Sequence, residues 1–134
     1  MRKHKQKQLW IHGGSGLGKT NLIIQLERFC RIFYIPDDGP WYDGYDDDYD
    51  LAVYDEFKGN KTAQWLNAFA EGVTFKMNRR NNAPYMKKKK MPLIILSNYS
   101  IRNCYRNCDE VVLQALENRF MQIGVQKLID IQFT

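Results

Sequence analysis

Long apolar runs are missing from this sequence. None approaches the roughly 18 to 20 residues that a membrane-spanning helix requires, so a soluble chain with no membrane partner is expected. Cysteine is scarce. Cys30, Cys104 and Cys108 form an odd set behind no signal-peptide pattern, which argues against a disulfide framework and for a reducing, intracellular compartment. Histidine is scarcer still, with His4 and His12 alone. A zinc site drawn from either one and the Cys104-x-x-x-Cys108 pair matches no standard finger spacing, and ordinary free thiols are the plainer reading. With no internal repeat and no Pro/Ser-rich linker, the 134 residues have the length of one domain. At 44% hydrophobic and 26% charged, the composition is that of a globular protein rather than a disordered one.

Charge is present but unevenly spread. The net charge of +5 hides a stretch, residues 37–50, with seven Asp and no cation, and another, residues 76–90, with seven Lys or Arg and no acid. Arg2, Lys3, Lys5 and Lys7 add a basic start. Such patterning speaks about partners rather than fold.

Hydrophobic periodicity gives a coarse map. Leu9 to Ile11 reads as a strand that runs into the glycine turn Gly13 to Thr20. Leu22, Ile23, Leu26, Phe29 and Cys30 recur at helical spacing through about Arg31. Ile32 to Ile35 and Leu51 to Tyr54 read as strands, and the polar loop between them carries Trp41, Tyr42, Tyr45 and Tyr49, so it should pack onto something. Ala63 to Glu71 reads as an amphipathic helix, the basic block as a hairpin or loop, Leu93 to Leu96 as a buried strand, Glu110 to Met121 as a helix and Val125 to Phe133 as a last strand. Strands alternating with helices imply an α/β domain whose mostly parallel central sheet is flanked by helices, with a basic hairpin insertion.

Three groups of residues carry chemistry. Gly13 to Thr20, GGSGLGKT, satisfies G-x-x-x-x-G-K-[ST] between a strand and a helix. Backbone N–H groups of Gly14, Ser15, Gly16, Leu17 and Gly18 would cradle phosphates at a helix N-terminus, Lys19 would reach the β- and γ-phosphates, and the Thr20 hydroxyl would ligate Mg²⁺. The strand LAVY then delivers Asp55 and Glu56 to the same carboxyl edge of the sheet, the first suited to the Mg²⁺ shell and the second to polarising a water. Asn98 closes the strand Leu93 to Leu96 and could bond that water or a γ-phosphate oxygen, although a strand-end cap is the blander role. Lys76, Arg79, Arg80, Lys87, Lys88, Lys89 and Lys90, interleaved with Asn residues and Tyr85, suit contact with nucleic-acid phosphates; a solvated face, or a nuclear localisation signal in Lys87 to Lys90, are the competing readings. A GTPase is disfavoured because the one Asn-Lys, Asn60-Lys61, continues as Thr-Ala rather than x-Asp.

The order GGSGLGKT, LAVYDEF, basic loop, LIILSN resembles the superfamily 3 helicase domain, and WYDGYDDDYDLAVYDEFKG is similar to the segment around Walker B in replication-initiator (Rep) proteins of circular single-stranded DNA viruses. The resemblance runs from about Lys7 onward. It implies a P-loop NTPase of the AAA+ type that hydrolyses ATP, works as a homo-oligomeric ring, typically a hexamer, and translocates 3′ to 5′ on single-stranded DNA in rolling-circle replication. Lys19 and Thr20 match Walker A, Asp55 and Glu56 Walker B, Asn98 the motif C sensor. Arg119, in VLQALENRF, looks like an arginine finger for a neighbour's ATP, with Arg102 or Arg106 as alternatives. The family's DNA loop usually carries Lys-Gly near its tip, where this chain has Arg79-Arg80-Asn81-Asn82. The paired histidines of the family's nickase domain are missing, which implies a basic linker remnant at 1–7 and a helicase ATPase domain over 8–134 without the nickase. A eukaryotic viral source would place the protein in the host nucleus. Two rival functions stay open: an ATP-dependent nucleic-acid assembly module that does not unwind, and a P-loop phosphotransferase.

Overall fold

A computed structural model of the chain describes residues 8–14, 18–36, 42–71, 75–80, 82–87 and 91–124. Five strands form one sheet: β1 (Gln8–His12), β2 (Ile32–Tyr34), β3 (Leu51–Phe57), β6 (Leu93–Ser97) and β7 (Phe120–Gly124). Their spatial order is β2-β3-β6-β1-β7, and every neighbouring pair is parallel. The second sheet is the antiparallel hairpin of β4 (Phe75–Arg79) and β5 (Asn82–Lys87). Parallel strands need long crossovers: α1 (Lys19–Leu26), α2 (Ala63–Glu71), α3 (Ile101–Cys104) and α4 (Glu110–Arg119) lie in those between β1 and β2, β3 and β6, and β6 and β7, while β2 and β3 are joined without a helix among the described residues.

Alternation along the strands divides the core in two. Leu9 and Ile11 look toward α1, where Ile11, Leu22, Ile23, Val53, Ile94 and Leu96 pack together. Trp10 looks the other way, into a larger cluster with Tyr54, Phe57, Leu66, Phe69, Leu113 and Phe120. Both faces of β3 and β6 are therefore covered, which is why they read as continuous apolar runs. Trp10 is fully buried, meets Phe57 and Phe120 edge-on at 5.4 and 5.7 Å, and donates its indole N–H to the Tyr99 carbonyl at 2.9 Å. Edge-to-face pairs of this kind contribute about 0.5–1.5 kcal/mol each beyond area burial.

The aromatic loop before β3 does pack. Tyr42 and Tyr45 are core residues, Tyr45 meets Phe33 at 5.0 Å, and Tyr42 accepts the Trp65 indole N–H at 2.7 Å. The structure departs from the sequence expectations at three boundaries and in one added element. Helix α1 ends at Leu26, five residues earlier than periodicity suggested, because residues 27–29 turn toward β2 and leave Phe29 70% exposed. Strand β3 runs through Asp55 and Glu56 to Phe57 instead of stopping before them. Helix α4 stops at Arg119, and Phe120–Gly124 pairs with β1 because Phe120 is needed against Trp10. The short helix α3, capped by the Ser100 hydroxyl accepting from the Asn103 N–H, was not anticipated. The expected strand at Val125 to Phe133, the linker at 1–7 and Trp41 lie outside the described residues.

Candidate functional site

Strand order assembles the site. Because β6 lies between β1 and β3, Asn98 at its end stands between the glycine turn after β1 and the acids of β3. The Gly13 N–H donates to the Ser97 carbonyl at 3.1 Å, extending the β1–β6 ladder one step into the turn. Gly18 caps α1 with φ +88°, a left-handed conformation that glycine adopts without steric cost. Lys19 then folds back over the turn. Its ammonium donates to the carbonyls of Gly13 at 2.7 Å and Gly14 at 2.9 Å and to Asn98 Oδ1 at 3.3 Å. Partial burial lowers its pKa, and the negative charge of Asp55 opposes that shift. Ser15, Gly16 and Leu17 lie outside the described residues; Thr20 is in the first turn of α1, with its hydroxyl outside the description.

The acids are mounted on a bulge. Tyr54 pairs with Ile95 and Phe57 with Ser97, so β3 spends three residue steps where β6 spends two. Glu56 absorbs the extra residue at φ +55°, a region that a non-glycine residue occupies at a cost, and the Asp55 carboxylate accepts the Glu56 N–H at 2.9 Å. The bulge turns both carboxylates out to solvent while returning Phe57 to the core. Ser97 ties this bulge to the next strand end: buried at 1% exposure, its hydroxyl donates to the Phe57 carbonyl at 2.7 Å and accepts the Tyr99 N–H at 3.0 Å. Sequence reasoning passed over Ser97, whose signal was a hydroxyl closing an all-apolar strand. It also left His12 without a role. The ring of His12 stands against Gly124, where an added Cβ would come within 3.2 Å, and burial followed by the Lys19 charge lowers its pKa.

Arg119 is not brought to this site. It precedes Phe120, which pairs with Gln8 at the amino end of β1, four residue steps or roughly 13 Å of strand from His12. Arg102 is occupied within the chain, its guanidinium forked onto Glu110 and Glu117 at 2.7–3.2 Å, while Arg106 is exposed.

The basic block divides. Lys76 and Arg80 are exposed on the hairpin; Arg79 staples its turn, donating to the Ala83 carbonyl at 3.0 Å and lying 5.6 Å from the Tyr85 ring centre. Lys87, expected among the phosphate contacts, is instead fully buried with its ammonium 5.0 Å from the Phe69 ring centre. Stem and ammonium are both enclosed, and the charged head faces the ring as a cation–π pair. Lys88, Lys89 and Lys90 lie outside the described residues.

Solved structures are similar to this fold. A candidate primosome component from Streptococcus pyogenes serotype M3 superposes with a TM-score of 0.56 at 12% identity, over 93% of this chain and 71% of that one. What is shared is an α/β fold with a mostly parallel sheet flanked by helices. JCV helicase in complex with a small molecule gives 0.56 at 18% identity, over 88% of this chain but only 35% of the helicase, and DnaI gives 0.50 at 14% identity, over 90% and 73%. At such identities the likeness is one of fold. No protein-family model and no curated protein matches the chain. No helix among the described residues is long and apolar enough to cross a membrane, and no group of three or more metal-ligating side chains occurs among them.

Proposed function

We propose that the chain is the ATP-hydrolysing motor of a DNA helicase acting in rolling-circle replication, of the kind that the Rep resemblance implies. The observation that carries the reading is the Lys19 ammonium, held on the Gly13 and Gly14 carbonyls and Asn98 beside two solvent-facing carboxylates. Those three acceptors are neutral oxygens that phosphate oxygens can replace with a gain in charge pairing. An exposed Asp55 and the α1 N-terminus suit a nucleotide with its divalent cation, which Thr20 and Asp55 would hold. Mg²⁺ so bound would neutralise charge on the β- and γ-phosphates.

Each residue then has a task. Lys19 and the turn amides of Gly14 to Gly18 bind the phosphates. Glu56 orients the attacking water and takes its proton, and the bulge fixes where that carboxylate stands. Asn98, already bonded to Lys19, reads whether a γ-phosphate has drawn the ammonium away. Arg119, at the far end of the sheet from its own site, serves the ATP of a neighbour in a ring, stabilising transition-state charge in trans. Lys76 and Arg80 contact the backbone of single-stranded DNA.

An assembly module that hydrolyses ATP without unwinding is the second reading. It draws on the primosome-component and DnaI likenesses, where this chain accounts for more of the partner's length than it does of JCV helicase. Strand displacement separates the two. With ATP and Mg²⁺, preparations that form rings should release the labelled strand of a 3′-tailed duplex; ATP turnover without displacement would favour the module.

A further inference from the structure

The acidic stretch has a use that its composition did not reveal. Its described part, residues 42–50, lies against the basic hairpin. The Tyr42 N–H donates to the Asn78 carbonyl at 2.8 Å, the Asp47 N–H to the Tyr85 hydroxyl at 3.1 Å, and the Tyr45 and Tyr85 rings meet edge-on at 5.6 Å. Beside that seam sits an ionic contact. The Asp43 carboxylate accepts the main-chain N–H of Arg80 through one oxygen and its guanidinium Nε–H through the other, both at 2.8 Å. Both side chains are open to solvent, at 41% exposure for Asp43 and 64% for Arg80.

A main-chain N–H and a guanidinium N–H converging on two oxygens of one anion is the donor arrangement that also grips a phosphodiester. We propose that this Arg80 fork is a backbone-phosphate site for single-stranded DNA and that Asp43 is its internal occupant, exchanged for a phosphate when a strand binds. The proposal rests on the nucleic-acid reading above. It gives the acidic loop a function: Asp43 holds the hairpin's exposed arginine in a shielded state, so that short or weak anionic contacts do not capture it. The seam through Asn78 and Tyr85 keeps the hairpin seated while the ion pair opens.

Fluorescence anisotropy with a labelled oligothymidylate tests the exchange in a double-mutant cycle. Asp43→Asn should bind about two- to five-fold more tightly than the unaltered chain, the scale of one exposed ion pair released. Arg80→Ala should bind more weakly, and Asp43→Asn placed on Arg80→Ala should gain nothing. Asp48→Asn removes the same charge from the same loop, at a residue whose own N–H bonds Asp46, and should gain little. An equal gain from Asp48→Asn, or a gain from Asp43→Asn that survives the loss of Arg80, would refute the exchange and leave general electrostatics. No gain from Asp43→Asn while the unaltered chain binds would also refute it. Absence of binding by every form at low salt would instead overturn the nucleic-acid reading itself.

Discussion

Replacing Ser97 by Ala removes a buried hydroxyl that joins the bulge of β3 to the end of β6. In the native chain it donates to the Phe57 carbonyl at 2.7 Å and accepts from the Tyr99 N–H at 3.0 Å, at 1% exposure. Alanine fills nearly the same space, so the cost is polar rather than steric. A buried group left without its partner costs about 1–3 kcal/mol. The Phe57 carbonyl, fully enclosed, should incur most of that, and the partly exposed Tyr99 amide less, for a total of roughly 2–3 kcal/mol. For a domain of this size that lowers the melting temperature by about 6–15 °C. Urea unfolding followed by tryptophan fluorescence measures it directly, since Trp10 packs on Phe57 beside the bond. Because Ser97 sets the spacing between Glu56 and Asn98, ATP turnover at a temperature where the variant is fully folded should also fall, with nucleotide affinity little changed. A destabilisation under about 0.5 kcal/mol, the ordinary range for substitutions away from such features, would refute the reasoning.

Gly59→Ala should destabilise by about 1–3 kcal/mol in the same assay, since φ at Gly59 is +87° and the new Cβ would stand 3.0 Å from the Cys104 carbonyl oxygen. Lys87→Met should leave the affinity for single-stranded DNA and its salt dependence unchanged, whereas Lys76→Ala should reduce the salt slope by about one unit; equal effects would place Lys87 back among the DNA contacts. Acid should loosen α3 from α4. The Arg102 guanidinium holds the Glu110 carboxyl below its usual pKa, so its contribution is complete above the unfolded carboxylate range, near about pH 4.3, and is lost as pH falls through the lowered native value. The difference in thermal stability between the unaltered chain and Glu110→Gln should therefore be present at neutral pH and vanish in acid; a difference that persists in acid would contradict the ion pair.

The local parts of the site were legible because they are written in consecutive residues. A strand running into a glycine turn and a helix, an apolar strand leading to Asp55 and Glu56, and another leading to Asn98 put these residues at strand ends within a few positions. What could not be read is how the strands are ordered. That β6 separates β1 from β3, and so puts Asn98 against Lys19, depends on long-range pairing. The bulge was hidden for a related reason: only the partner strand reveals that Asp55 and Glu56 share one extra residue. Lys87 misled because its place in a run of lysines does not reveal that its ammonium is enclosed against the Phe69 ring. The acidic loop was half legible: its tyrosines announced that it packs, and Tyr42 and Tyr45 are core, but that it packs against the basic hairpin depends on long-range contacts.

Release of phosphate from ATP, with Mg²⁺ and single-stranded DNA present, tests the central claim most directly when the unaltered chain is compared with Lys19→Ala and Glu56→Gln. The unaltered chain should turn over ATP faster with DNA than without it. Both variants should lose at least about 10²-fold, the scale seen when a charged or hydrogen-bonding group is removed from a transition state. Turnover that survives both substitutions, in preparations free of other ATPases, would contradict the account.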